Sequence, residues 1–214
     1  IDLKKSKIDM LSLSGHKLHA PKGIGVLYLR RNTRFRPLLR GGHQERGRRA
    51  GTENVAGIVG LGRACELGRQ HLGAEAALAA LQRRLEHEIL ARVPETRING
   101  QDAPRLPNTT SFAFNFVEGE GILFALNQHG ICASSGSACT SGSLEPSHVM
   151  MAMGVPFEAA HGSLRVSTSR YTTEAEIDRF IEVLPPIIAQ LRRISPYWDD
   201  ERGAAREGVD VFVQ

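Results

Sequence analysis

Apolar positions near the start of the chain follow the two-residue period of β-strands, and later ones follow the three-to-four-residue period of α-helices. Residues 10–13 and 26–29 are short apolar runs that predict two strands. We expect the first strand to be buried, because its apolar residues alternate with small serines. A helix is predicted next, with Thr52 as its N-cap and an interruption near Gly68 or Gly73. Its predicted inward residues form one stripe: Val55, Ile58, Val59, Leu61, Leu78, Leu81, Leu85 and Ile89.

The second part of the chain mixes the same two periods. Phe112, Phe114 and Phe116 alternate with smaller residues and predict a half-buried strand. Further elements are predicted over residues 120–129 (helix), 131–133 (strand), 145–153 (helix) and 164–167 (strand). Thr173 and Glu176 form a capping box for a last helix. Its predicted inward residues are Ile177, Phe180, Ile181, Leu184, Leu191 and Ile194, with a kink at Pro185–Pro186. The alternation predicts an α/β protein with a domain boundary near residue 70.

Composition narrows the class of protein. The 214 residues are 41% hydrophobic, and no apolar run approaches the length of a membrane span. Three cysteines form neither an even-numbered set nor a C-x-x-C pair, which favours a reducing, cytoplasmic environment. The net charge of +4 is uneven, since residues 1–60 hold five lysines and eight arginines against four carboxylates. This basic part suggests a phosphate-bearing ligand, a nucleic acid or an acidic partner, or only a solvated face.

Lys17 is the first candidate for chemistry. All five lysines lie within the first 22 residues, and a lysine can form a Schiff base with a carbonyl cofactor whereas an arginine cannot. Only Lys17 lies between a predicted strand and a glycine turn, at the strand end where α/β proteins bind ligands. By position alone, a surface lysine at a strand end is the simpler interpretation.

Cys139 is the second candidate. It lies in a segment made almost entirely of Ser, Gly, Ala and Thr, which cannot form a core and would leave the thiol exposed. Cys65, on a predicted helix, and Cys132, in a predicted apolar strand, are interpreted as small core residues. An inert loop thiol is the alternative for Cys139.

Four ordered motifs closely resemble the pyridoxal-phosphate-dependent cysteine desulfurases of the class V aminotransferase family. They are Ser-Gly-His-Lys at 14–17, Pro-Lys-Gly-Ile-Gly at 21–25, Arg-Gly-Arg-Arg-Ala-Gly-Thr at 46–52 and Ser-Gly-Ser-Ala-Cys-Thr-Ser at 135–141. Residues 41–54, 142–150 and 195–198 most resemble the NifS type, which serves nitrogenase cluster assembly. The resemblance implies a type I pyridoxal-phosphate transferase fold (aspartate aminotransferase-like). Residues 1–70 would be the end of its large domain and the start of the connecting helix, and residues 71–214 its small α/β domain.

The resemblance also implies roles for individual residues. Lys17 would hold the cofactor covalently and move the Cα proton, while Ser14 and His16 would contact the cofactor phosphate. Thr52 would reach the phosphate of a neighbouring subunit, which implies a homodimer. Arg165 would bind the carboxylate of L-cysteine. Cys139 would attack the substrate sulfur and keep it as a persulfide, for delivery to an iron–sulfur scaffold protein.

The resemblance covers only part of the family's cofactor pocket. The family places a ring-stacking histidine, an aspartate at the pyridine nitrogen and a threonine upstream of the lysine, and only 16 residues precede Lys17 here. We therefore expect residues 1–214 alone to be a poor enzyme. Arg165 could instead form a structural ion pair, and Ser14 could be a strand cap.

Two other classes of protein stay open at the level of sequence. A selenocysteine lyase or an aminotransferase of the same fold would share the lysine, although the cysteine segment argues against both. A nucleic-acid-binding module would use the eight arginines between residues 30 and 49, but the sequence has no phosphate-binding Gly-Lys loop and no zinc-spaced cysteines.

Overall fold

A computed structural model describes residues 1–136 and 147–207. The chain forms two compact units, Ile1–Gly73 and Ala74–Gln214, which are described separately.

The first unit begins with an antiparallel hairpin. Strands β1 (Met10–Ser14) and β2 (Gly25–Leu29) pair with Leu11 opposite Tyr28 and Ser14 opposite Gly25. Both predicted strands are confirmed, but the expected burial of β1 is wrong, since Leu13 is 42% exposed. Among the described residues, the sheet has only these two strands, so each strand has one edge without a paired neighbour.

A helical turn, α1 (Gln44–Gly47), precedes the long helix α2 (Val55–Gln70). The predicted interruption is confirmed, because α2 ends at Gln70 and α3 begins at Glu75. The predicted inward face of α2 is wrong for Val55, Ile58 and Val59, which are exposed, and is confirmed for Leu61, which is buried.

The face of α2 that packs consists of Leu61 and two small residues, Ala64 and Gly60. Leu61 and Ala64 join Ala20 in a small core, with Ile24 against it. At Gly60 an added Cβ would lie 2.8 Å from Cδ of Pro21. A pattern based on large apolar residues finds Leu61 but misses the alanine and glycine that complete this contact surface.

The second unit is built on a three-stranded antiparallel sheet of order β3-β4-β5. The strands are β3 (Thr96–Ile98), β4 (Thr109–Phe114) and β5 (Ser163–Ser167), with Phe112 opposite both Ile98 and Leu164. Its helices are α3 (Glu75–Arg92), α4 (Gly119–Gln128), α5 (His148–Ala152), α6 (Phe157–His161) and α7 (Glu174–Arg193). A short hairpin of β6 (Trp198–Asp199) and β7 (Ala204–Ala205) follows.

Both faces of this sheet are covered. Phe112, Phe114 and Leu164 share one apolar cluster with residues of α3, α4 and α7. Ala113 packs in a second cluster with Met150 of α5 and with Ala159 and Ala160 of α6. The predicted half-buried strand is therefore buried on both faces at Phe112, Ala113 and Phe114, and Phe116 lies beyond it with a left-handed backbone (φ 67°).

Several predictions for single helices and strands can be compared with the structure. The capping box of Thr173 and Glu176 is confirmed, as are strand β5 and helix α4, which is followed by Gly130 in the left-handed conformation. Residues 131–133 form no strand, and a single bridge pairs Ser134 with Arg165 instead. Ile194 lies after α7 and is 81% exposed, so its predicted inward position is wrong. Helix α7 continues through Pro185 and Pro186.

Candidate active site

Lys17 lies on the turn of the β1–β2 hairpin. Strand β1 ends at Ser14 and runs directly into a 3-10 helix, Gly15–Leu18. The backbone of this turn is fixed, since Gly15 N donates to Ile24 O at 2.9 Å and Ala20 N donates to Gly15 O at 3.1 Å. Gly15 is buried, and an added Cβ would lie 2.8 Å from Cγ2 of Ile24. The turn therefore requires glycine at this position.

The side chains around Gly15 are presented outward. Ser14, His16 and Lys17 are all exposed, although the backbone that carries them is held by the hairpin. The structure thus brings together a hydroxyl, an imidazole and a primary amine on four consecutive residues. This combination can bind an anionic oxygen and react covalently with a carbonyl group.

Thr52 belongs to the same unit but to a different loop. It was predicted to be the N-cap of α2, and that prediction is wrong: Asn54 occupies the cap and its Oδ1 accepts from Gly57 N at 3.0 Å. Thr52 is exposed, two residues before the cap. Its hydroxyl is therefore not used to start the helix.

Arg165 lies on β5 in the second unit. Its backbone is held on one side by pairing with Ser111 of β4 and on the other by Ser134, whose O accepts from Arg165 N at 2.6 Å. The side-chain Nε of Arg165 is buried and has no hydrogen-bond partner among the described residues. A buried guanidinium donor without a partner is costly, so this atom is a strong candidate for binding an anionic group.

Cys139 lies outside the described residues. The segment before it is attached to β5 at two points: Ser134 bridges to Arg165, and two residues later Gly136 N donates to Ser163 Oγ at 3.3 Å. The other two cysteines were interpreted as core residues, and that interpretation is wrong: Cys65 and Cys132 are both exposed. Cys65 projects from the side of α2 next to the packed Ala64, and residue 132 lies in an irregular segment rather than a buried strand.

Sequence reasoning missed the residues that support these side chains. Ser134 and Ser111 flank Arg165 on neighbouring backbone segments, and Gln44 and Arg49 hydrogen-bond to the backbone at Gly51. For Gln44 and Arg49, the one sequence feature that could have drawn attention to them is their place in the glycine- and arginine-rich stretch before Thr52.

Two kinds of feature are absent from residues 1–136 and 147–207. No helix there has the length and apolar character required to cross a membrane. Over the same two ranges, no three His, Cys, Asp or Glu side chains are grouped so that they could hold a metal ion.

Comparison with known proteins places this chain in a family. The model of the class-V aminotransferase family matches residues 1–180, so the chain belongs to that family, which uses pyridoxal phosphate. More specifically, the chain is 66% identical over 199 residues to the cysteine desulfurase NifS of Azotobacter vinelandii, covering 92% of this chain and 50% of that protein. It is 62% identical over 206 residues to a cysteine desulfurase of Nostoc sp., covering 95% and 51% of the two chains.

Solved structures agree with the family. A NifS-like protein superposes with a TM-score of 0.77 at 36% identity, covering 88% of this chain and 48% of that one. A NifS-like protein from Rickettsia africae gives a TM-score of 0.79 at 34% identity, with 87% and 49% covered. The predicted fold class, that of the pyridoxal-phosphate-dependent class V enzymes, is confirmed. The chain spans about half the length of the curated relatives it matches.

Proposed function

We propose that residues 1–214 form part of a pyridoxal-phosphate-dependent cysteine desulfurase about twice this length, called the full-length enzyme below. In this enzyme L-cysteine is converted to L-alanine and the sulfur is kept as a persulfide on Cys139. The observation that carries the proposal is the turn that presents Ser14, His16 and Lys17 around buried Gly15, in a chain 66% identical to a NifS protein. In domain terms, residues 1–70 belong to the large domain and residues 71–214 form the small domain.

The exposed groups of the hairpin turn fit this cofactor. A primary amine can bond covalently to the cofactor aldehyde, and the hydroxyl and imidazole of Ser14 and His16 can donate to phosphate oxygens. When bound, pyridoxal phosphate supplies an electron sink that stabilises a negative charge at the substrate Cα. Lys17 Nζ then holds or moves the proton at that carbon. Thr52 contributes a hydroxyl to the phosphate from a neighbouring subunit, which makes the enzyme a homodimer.

Arg165 is assigned to the substrate carboxylate. Its buried Nε, which has no hydrogen-bond partner among the described residues, supports this role, because a carboxylate would supply an acceptor in a charge-assisted hydrogen bond. The pairing of its backbone with Ser111 and Ser134 holds the residue in place before substrate arrives. No carboxylate of the described residues forms an ion pair with Arg165, which argues against the alternative of a structural pair.

Cys139 is assigned as the nucleophile. Its thiolate attacks the sulfur of the bound L-cysteine, so that an S–S bond forms while the bond between sulfur and the substrate Cβ breaks. The electron pair of the broken bond stays with the substrate, whose Cβ takes up a proton and becomes the methyl group of alanine. The enzyme thiol and L-cysteine thus give the enzyme persulfide and L-alanine, with no external oxidant or reductant.

The destination of the sulfur follows from the same resemblance. A persulfide on a Ser- and Gly-rich segment is suited to transfer to a second protein, and we assign an iron–sulfur scaffold, in a nitrogenase-type system, as the acceptor. The shortage of paired cysteines supports a cytoplasmic location.

Activity of matched cysteine variants tests this proposal. In the full-length enzyme, Cys139→Ser is expected to bind cofactor and L-cysteine but to release neither sulfide nor alanine. Cys65→Ser and Cys132→Ser are the controls, because both thiols are exposed and either could be mistaken for the nucleophile. Lys17→Ala is expected to lose the absorbance of the covalently bound cofactor. Sulfide release by Cys139→Ser, or its loss in a control variant, would contradict the assignment.

A further inference from the structure

The loop before Thr52 is closed by its own backbone. Ala50 N donates to Leu39 O at 3.3 Å, so the two ends of the loop are joined by a backbone hydrogen bond. Close packing supports this closure, since a Cβ added at Gly41 would lie 3.2 Å from Cβ of Ala50. Residues 39–50 therefore form a defined loop rather than a run of independent arginines.

The middle of this loop has an unusual backbone. Glu45 and Arg46 both have left-handed conformations, with φ of 50° and 58°. Two successive non-glycine residues in this region cost free energy, so other contacts must maintain the turn. The turn places Gln44 before it and Arg49 after it, and both side chains point to the same short piece of backbone.

Gln44 and Arg49 together hold the two peptide groups around Thr52. Oε1 of Gln44 accepts from Gly51 N at 3.2 Å. Nη1 of Arg49 donates to Gly51 O at 3.0 Å and to Thr52 O at 3.1 Å. This support matters because Gly51, whose φ of +100° favours glycine, is the residue type with the greatest backbone freedom, and because Thr52 lies before the start of α2.

Arg49 is also distinct from its neighbours in the loop. Among the described residues it forms no ion pair with a carboxylate, and its hydrogen bonds go to backbone oxygens. Arg48, the adjacent residue, is exposed and makes no side-chain hydrogen bond within the described part of the chain. The two arginines therefore form a natural pair for comparison.

We propose that Gln44 and Arg49 are positioning residues that fix the Gly51–Thr52 backbone so that the Thr52 hydroxyl is held ready for the cofactor phosphate. This inference rests on the proposed function, in which Thr52 binds that phosphate. Neither residue touches the cofactor; both act through the backbone of the residue that does. The expected consequence is a selective loss of affinity for the phosphate group.

Binding of pyridoxal phosphate and of pyridoxal, which lacks the phosphate, tests the proposal in the full-length enzyme. Arg49→Met is expected to weaken pyridoxal phosphate about tenfold, as for loss of a hydrogen bond to a charged group, and to leave pyridoxal binding unchanged. Arg48→Met is the control and should leave both unchanged. Loss of affinity for both ligands in Arg49→Met, or for neither, would overturn the inference.

A double variant distinguishes positioning from an independent contact. If Arg49 acts through Thr52, Arg49→Met should have little further effect on pyridoxal phosphate binding once Thr52 is replaced by alanine. A further tenfold loss in the double variant would overturn the inference. Failure of the proposed function has a different signature, because the unmodified enzyme would then form no Lys17-dependent covalent adduct with pyridoxal phosphate.

Discussion

Arg192 offers a sharp test of how the second unit is held together. It is 3% exposed near the end of α7, where its Nε donates to Asn115 O and its Nη2 to Glu95 O, each at 3.2 Å. Its Cζ lies 4.6 Å from the centroid of the Trp198 ring. One side chain thus joins α7 to the turns after β4 and before β3, and to the hairpin of β6.

The size of the effect follows from these contacts. Two hydrogen bonds from a charged donor contribute about 1.5–3 kcal/mol each, and the cation–π contact about 1 kcal/mol. Burial opposes them: it lowers the pKa of Arg192 to about 10, with the Glu95 charge working in the other direction. Replacement by methionine removes this cost of burying a charge but leaves the buried Asn115 carbonyl oxygen without the Arg192 donor, whereas Glu95 O keeps its hydrogen bond from Asn115 N. We expect Arg192→Met to lower the free energy of unfolding by about 2–4 kcal/mol.

Urea unfolding followed by tryptophan fluorescence measures this effect. Trp198 is the single tryptophan of the chain and is 7% exposed, so its emission reports the unit that contains Arg192. Arg193→Met is the matched control, because Arg193 is exposed and, within the described part of the chain, forms an ion pair with Asp200 alone, at 3.2 Å. This variant should cost less than about 1 kcal/mol. Equal losses for the two variants, or a loss below about 0.5 kcal/mol for Arg192→Met, would refute the reasoning.

Three further predictions concern the same unit. Thr173→Ala removes the acceptor for Glu176 N and should cost about 1 kcal/mol in the urea titration, whereas an unchanged midpoint would show that the cap is dispensable. Hydrogen bonds from the Thr173 backbone and hydroxyl lower the pKa of Glu176. Their contribution to the free energy of unfolding is therefore present at neutral pH and is lost as the pH falls through that lowered pKa. The loss of stability in acid should be smaller in Glu176→Gln. Gly162→Ala would place a Cβ over the Phe114 carbonyl oxygen and should destabilise by about 3 kcal/mol, and near-neutral behaviour would contradict the close approach.

Local signals were sufficient for part of the fold. The capping box at Thr173, the glycine after α4 and the strand pair around Gly25 depend on neighbouring residues, and the sequence contains all of them. The inward face of α2 has only part of such a signal: Leu61 was predicted to pack, but Ala64 and the glycine against Pro21 were not. The larger residues Val55, Ile58 and Val59 predicted a wider face that the structure leaves exposed. The exposure of Cys65 has the same origin, since it depends on which side of α2 packs.

The candidate site also has a part that could be predicted from the sequence and a part that could not. Lys17 could be selected from sequence because lysine is rare in this chain and a glycine turn surrounds it. The support for Thr52 and Arg165 could not, because it consists of hydrogen bonds to backbone atoms. Gln44 and Arg49 meet Gly51 only through a turn with two left-handed residues, and Ser134 meets Arg165 through a single bridge. No residue pattern encodes these contacts directly.

The most direct test of the account is to locate sulfur on the full-length enzyme after a single exposure to L-cysteine. Peptide mass spectrometry under non-reducing conditions should find one added sulfur atom on the peptide that contains Cys139 and none on those that contain Cys65 or Cys132. The added sulfur should be absent in Lys17→Ala, which cannot bind the cofactor covalently. Sulfur on Cys65 or Cys132, or its persistence on Cys139 in Lys17→Ala, would contradict the proposed division of roles between the two residues.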